Sequence, residues 1–382
     1  MKSLRIFPIV TLLGCLGFSS GASAVIDNNA PVVKLRAPAN GGCVEAGVTL
    51  NNCFTTTSSL ISWIVNTRRP SVSTPLSVEI GPGQFDGFGL TSVGDISFRG
   101  SGSDKTTIGN NQLAISITNS DRLNFQDLKV TGGFPAPVYW TGGGSSTWTN
   151  VHLAGGLYAW TETGCNASTG RAKHYWFSSR FTSVGKGYLA SCSENWFFGS
   201  EIAVEGPGLN GVKGLLVFGQ PNSGISPEAH VYGSTIRVKP SPGTSFSTPT
   251  AGGECSGVVA VCAGLNGNVH IHGTGIDVIG NELPNDVAAL VAADGGEIHA
   301  NQSAFNMSTA AGGKIIRILN AGGHVHAPYL WEHIPVSPLD SVTGADIATV
   351  TTGTSDGQPH LVIYSTNCIS KWYDTTDKLC RP

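Results

Sequence analysis

The sequence predicts an all-β solenoid of parallel strands, with a short capping helix before it and a β-hairpin tail after it. Three observations lead there. Short apolar runs of period two recur along the chain, they align when stacked, and Gly, Ser or Asn stands between paired runs. Of 382 residues, 51 are Gly and 20 are Pro, so roughly 19% of positions favour turns, which excludes a helical bundle. Charged residues make up 12% and hydrophobic ones 40%, enough for a packed core and too apolar for disorder.

In chain order, residues 1–24 read as a signal peptide. Lys2 and Arg5 precede an apolar stretch from Ile6 to Phe18, and Ala22-Ser23-Ala24 supplies the small-residue cleavage pattern. Export to a secreted, periplasmic or envelope location follows. Leu12-Leu13-Gly14-Cys15 offers a second reading, in which Cys15 is lipidated and anchors the mature chain. The segment 25–75 contains Leu60-Ile61-Ser62-Trp63-Ile64-Val65 behind Thr57-Ser58-Ser59, an N-capped helix that ends ahead of Pro70 and covers the first coil. Residues 76–336 form the solenoid, and 337–382 the tail, where Ile347–Val350 and His360–Tyr364 flank Thr354-Ser-Asp-Gly357 as a hairpin.

The solenoid rests on self-similarity. Leu123-Asn-Phe-Gln-Asp-Leu128-Lys-Val130, Trp176-Phe-Ser-Ser-Arg-Phe181, Phe197-Phe-Gly-Ser-Glu-Ile202-Ala-Val204 and Val231-Tyr-Gly-Ser-Thr-Ile236-Arg-Val238 stack without gaps. Ile271-His-Gly-Thr-Gly-Ile276-Asp-Val278 and Ala300-Asn-Gln-Ser-Ala-Phe305-Asn-Met307 continue the series, and Trp148–Leu153 fits with one residue fewer. Each unit reads as strand, bend, strand. One coil cannot cover its apolar face, whereas a stack of about nine rungs at ~4.8 Å buries a continuous column roughly 43 Å long.

Eight cysteines remain after Cys15, an even number that suits disulfides in an oxidising compartment. Proximity suggests Cys43–Cys53, Cys165–Cys192, Cys255–Cys262 and Cys368–Cys380. The net charge of −3 and the absence of basic runs argue against nucleic acid as a partner. No segment after the leader has the ~18 uninterrupted apolar residues of a transmembrane span.

Val78-Glu-Ile-Gly-Pro-Gly83-Gln-Phe85, followed by Ile96-Ser-Phe-Arg-Gly100 and Thr106-Thr-Ile108, resembles the entry segment of the pectin-lyase-like superfamily. The resemblance spans roughly Leu76 to Pro335 and implies a right-handed parallel β-helix. The superfamily includes pectate lyases, polygalacturonases and pectin methylesterases, and the resemblance is specific for fold and nearly silent on reaction. Two readings follow: a column engaging a polysaccharide or cell-surface glycan, as a lyase or hydrolase if catalytic, and a non-catalytic surface adhesin or structural scaffold. No catalytic residue carries over. Asn195-Trp-Phe-Phe-Gly199 has Asn195 where the esterase motif needs an acid, and the polygalacturonase and pectate lyase signatures are absent.

Two outward patches are candidate sites. His230, His270, His299 and His326 occupy one column of four late rungs, each bracketed by apolar residues that point inward. The next column adds Tyr232, His272 and Asn301, the preceding one Glu228, Asn268, Glu297 and His324, and earlier rungs contribute Tyr175 and Trp196. Six of the ten histidines thus share one patch. Three uses are open: packing of stacked rings, a carbohydrate platform with rings on sugar faces and imidazole edges as donors, or a divalent transition-metal site drawing on His270, His272 and His299. No other cofactor is indicated. The second patch collects Asp127, Lys129, Arg180, Glu201, Glu205, Arg237, Lys239 and Asp277 on the outward side of the following strand. Salt-bridge ladders account for it, and the alternative is a groove for an acidic polysaccharide with Glu201 and Glu205 as its acid–base pair; His270 and His299 are the other catalytic candidates.

Overall fold

The computed structural model describes residues 27–110, 113–164, 170–207, 211–220, 223–241, 255, 257–280 and 287–309, with strands at 314–319, 324–326, 350–351, 372–374 and 379–381. The expected leader, with Cys15, lies outside the described residues, as do Cys165 and Cys368 and therefore the pairings Cys165–Cys192 and Cys368–Cys380. The chain winds as a right-handed parallel β-helix, the fold that the Val78–Ile108 resemblance implies.

Each coil has three strands, one more than the expected two-run unit. One coil runs from Val212–Phe218 through Glu228–Tyr232 to Thr235–Pro240, and the next from Val258–Gly264 through Asn268–His272 to Gly275–Gly280. Every strand pairs in parallel with its counterpart one coil away. The first and second sheets join into one 20-stranded sheet because Ile115–Gln126 and Val138–Thr149 bend through the corner between them. The third sheet has nine strands, from Gly83–Phe85 to Ala304–Thr309, the number of rungs expected.

In the later coils the additional strand carries no alternation, so a search for period two passes over it there, whereas residues 115–118 and 138–141 of the earlier coils do alternate. Val212–Phe218, Val258–Gly264 and Val287–Ala293 are buried at every residue, the pattern of strands covered on both faces. Leu215, Val217, Val261 and Leu290 belong to the main core, while Leu216, Val259, Cys262 and Val291 form a separate apolar cluster with Cys255. Cys255 is disulfide-bonded to Cys262, and Cys43 to Cys53, both as expected.

The second sheet sends its alternate residues into the coil as a ring column. Phe98, Phe125, Trp148, Trp176 and Phe197 are fully buried and stack in order at centroid spacings of 5.1, 4.0, 5.0 and 6.3 Å. Register pairs Phe125 with Trp148 and Val130 with Leu153. Trp148–Leu153 therefore fits the rung with no residue missing, a correction to the expected one-residue gap.

A left-handed residue turns the corner between the second and third sheets in seven successive coils. Asp127, Asn150, Ser178, Gly199, Gly233, Gly273 and Gln302 all have φ between 47° and 56° there, the region Gly and Asn enter at least cost. A buried hydroxyl follows in the later coils: Ser179, Ser200, Ser234, Thr274 and Ser303. Each donates to the carbonyl two residues back. Ser200 Oγ also accepts the Ser179 amide at 3.2 Å, and Ser234 Oγ the Ser200 amide at 3.0 Å, so the corners are tied coil to coil.

The N-terminal cover forms as expected, one position earlier. Thr56 is the N-cap, accepting from the Ser59 amide at 3.2 Å, and the helix Thr57–Trp63 continues as a π-helical turn to Arg68. Leu60, Trp63 and Ile64 join the main core. In the tail, Val350–Thr351 pairs in parallel with Ile318–Leu319 and so extends the solenoid sheet; the other arm of the expected hairpin, 360–364, lies outside the described residues. An antiparallel ribbon joins Trp372–Asp374 to Leu379–Arg381 further on.

Candidate functional site

The outward side of the second sheet presents two parallel ladders of rings. In the first, Tyr175, Trp196, His230, His270 and His299 stack at 4.6, 5.5, 4.9 and 4.8 Å with interplanar angles of 12° or less. The second runs Phe177, Phe198, Tyr232 and His272 at 5.1, 5.3 and 5.1 Å. Strand register at about 4.8 Å imposes this spacing, because rung partners on one face lie directly above one another. The backbone continues the pattern, pairing His299 with His326, Glu297 with His324 and His272 with Asn301. Phe177 and Phe198 were legible as outward positions of the same repeat, yet their lack of polar atoms drew no attention to them.

Stacking decides what a ligand meets. Ring faces are occupied by neighbouring rings, so the ladders offer edges: imidazole nitrogens and the Tyr232 hydroxyl. That disfavours sugar rings lying flat on the aromatic faces and leaves hydrogen bonding to the edges.

A column of three glutamates and one asparagine runs beside the first ladder. Glu194, Glu228, Asn268 and Glu297 are successive rung partners. Glu228 Oε1 lies 3.0 Å from His230 Nε2 and 3.5 Å from His270 Nε2, and Glu297 Oε1 is 2.8 Å from His299 Nε2. Arg171 reaches Glu194 Oε2 at 3.5 Å and Glu228 Oε2 at 3.3 Å, while Lys173 sits over the Trp196 ring at 5.9 Å. Burial in the stack holds His270 below the usual imidazole range, reinforced by repulsion from His299 and His230 and opposed by Glu228.

Among the described residues, Glu228, His230 and His270 are the group whose ligand atoms converge as a metal set would. Of the expected ligands His270, His272 and His299, only His270 belongs to it. His272 stands in the second ladder above Tyr232, and His299 is drawn to Glu297.

The charged patch on the third sheet resolves into cross-strand ion pairs. Arg180 meets Glu201 at 2.9 Å, Arg237 meets Asp277 at 3.1 Å, and Lys239 bonds Glu205. Glu201 and Glu205 stand four residues apart on one strand, about 13 Å along the backbone, and each engages a cation of a neighbouring coil, Arg180 and Lys239 respectively.

One polar group escaped sequence reasoning because it points inward. Glu162 is 1% exposed inside the coil and accepts from Trp160 Nε1 at 2.9 Å, Ser193 Oγ at 2.6 Å, and the Ser191 and Cys192 amides at 3.3 Å. His174, also fully buried, lies with Nε2 3.5 Å from Glu162 Oε1 and Nδ1 2.7 Å from Ser146 Oγ. Trp148 Nε1 donates to that same Ser146 oxygen. Burial lowers His174 to about 3 and raises Glu162.

No protein-family model matches the chain, and no curated protein matches it. Among solved structures it is similar to pectate lyase Pel9A, at 12% identity over 80% of this chain and 78% of that one, with a TM-score of 0.44. It is also similar to alginate lyase from Paenibacillus sp. str. FPU-7, at 13% identity over 71% of this chain and 93% of that one, with a TM-score of 0.34. Neither likeness assigns a role to any residue.

Proposed function

We propose that the chain is an exported, disulfide-bonded column that binds a polysaccharide along the ladder face. The observation behind this reading is the row of hydrogen-bonding edges at strand spacing, His230, His270 and His299 beside Tyr232 and His272. A glycan repeats hydroxyl groups along an extended chain, and edges already fixed by stacking and cross-strand pairing meet them with little ordering cost on the protein side. Glu228 and Glu297 add acceptors for hydroxyl donors. Their charge disfavours polyanionic chains at neutral pH, so neutral glycans are expected to bind best. The two disulfides formed by Cys43–Cys53 and Cys255–Cys262 suit an oxidising compartment.

The test is a panel of neutral and uronate-containing glycans offered to the purified chain, read by binding, by unsaturated-product absorbance and by reducing ends. Saturable binding of at least one glycan is expected, with the two product assays reporting whether a lyase or hydrolase step accompanies it. A His270→Ala, His299→Ala double variant should bind at least tenfold more weakly while keeping the wild-type circular dichroism and melting temperature, because outward positions carry little core energy. The second reading is a non-catalytic adhesin or scaffold, favoured by ring faces that are already satisfied by one another. Silence across the panel selects it, whereas undiminished binding by the double variant would assign the histidine patch a packing role.

A further inference from the structure

We infer that Glu228, His230 and His270 form a site for one divalent transition-metal ion of the zinc, copper and nickel class, open to solvent on its remaining side. Register builds it. Glu228 and His230 stand two residues apart on one strand face, and His270 is the rung partner of His230. One ligand atom from each residue lies within 4.8 Å of the other two. Both imidazole Nε2 atoms converge on the same carboxylate oxygen, at 3.0 and 3.5 Å.

The surroundings hold that arrangement. Arg171 engages the other carboxylate oxygen of Glu228 at 3.3 Å and bonds the Ser226 carbonyl, which fixes the oxygen facing the imidazoles. His230 is clamped between Trp196 and His270. Asn268, the rung partner of Glu228, has a buried Oδ1 with no hydrogen-bond partner among the described residues. A water on the ion would supply the missing donor.

The donor set selects the ion. Two imidazoles with one carboxylate suit zinc, copper or nickel, whereas calcium and magnesium ask for oxygen ligands throughout. Metal–nitrogen bonds of about 2.0–2.1 Å set tetrahedral neighbours about 3.3 Å apart. Glu228 already stands near that distance from each nitrogen, so binding requires His270 to turn out of its stack toward His230. Its side chain is 27% exposed, which leaves room for the turn.

The test uses the full chain prepared without a histidine tag, stripped with chelator and titrated with Zn²⁺ by calorimetry and with Cu²⁺ by electron paramagnetic resonance, in the absence of any glycan. The expected result is about one ion per chain with hyperfine coupling to two imidazole nitrogens. Glu228→Gln, His230→Ala and His270→Ala should each weaken binding at least tenfold, and Arg171→Ala by a smaller factor. His272→Ala should bind as the wild type does. Should an alanine variant misfold, His230→Gln replaces it. No uptake, wild-type affinity in Glu228→Gln and the His230 variant, or a loss centred on His272 would overturn the site. Metal uptake without glycan binding, or the reverse, separates this inference from the proposed function.

Discussion

His174 has to stay uncharged to keep its place among Trp140, Trp160 and the Ser146 hydroxyl. Protonation would put a charge on a ring that is fully buried. The sign follows: a folded-state value of about 3 lies below the ordinary 6.5, so the unfolded chain binds the extra proton first. Stability is fully present above pH 6.5 and drains away as pH falls toward 3, at about 1.4 kcal/mol per unit. Glu162 acts oppositely. Its value is raised, so its contribution is present below the ordinary carboxylate range and is lost as pH climbs through the raised value. Thermal melts from pH 4 to 7 should therefore show a shallower acid loss in His174→Phe than in the wild type, and a smaller loss on the alkaline side in Glu162→Gln. Identical profiles in all three proteins would refute the assignment. None of this was legible in the sequence: Glu162 sits in Trp160-Thr-Glu-Thr163, where nothing marks the carboxylate as interior. The outward histidine column, by contrast, was legible, because each imidazole stands between two apolar residues of a strand. Which carboxylate those nitrogens approach depends on side-chain torsions and on Arg171, neither of which spacing reveals.

Strands and corners divide along the same line. The second and third strands of each coil were readable from alternation, and the corner from recurring Gly-Ser or Gly-Thr pairs at 199–200, 233–234 and 273–274. The first strand of the later coils was not, since burial on both faces erases the period and leaves apolar runs such as Val258-Val-Ala-Val-Cys262 that a buried helix would share. The corner hydroxyls supply an element-scale prediction. Ser200→Ala removes the acceptor of the Ser179 amide and the donor to the Phe198 and Trp176 carbonyls, all in buried surroundings. A loss of about 1–3 kcal/mol is expected, read as a lower denaturation midpoint with an unchanged slope. A midpoint indistinguishable from wild type would mean that water takes over the hydroxyl's bonds.

Over the whole molecule, the stack buries its core only if its ends are closed. Leu60, Trp63 and Ile64 of the N-terminal helix are part of that core, held by the Thr56 cap and tethered through Cys53 to Cys43. Leu60→Asp would place a charge at a position 1% exposed and lift the cover from the first coil. Concentration-dependent oligomers in light scattering are the expected outcome, and a monodisperse variant would show that the cover is dispensable. The shared corner geometry has a further consequence, for how such a chain tolerates change in length. Deleting one residue between Glu228 and Pro240 would reverse inside and outside for the remainder of that coil, turning imidazoles inward and valines to solvent. Between coils no such phase is kept: the distance from one corner to its successor varies from 21 residues, Ser179 to Ser200, to 40, Ser234 to Thr274, with the ladders unbroken. Insertions and deletions should accordingly survive only in the connections or as entire coils, so the ladder face can be lengthened by duplication but not shifted by a single codon.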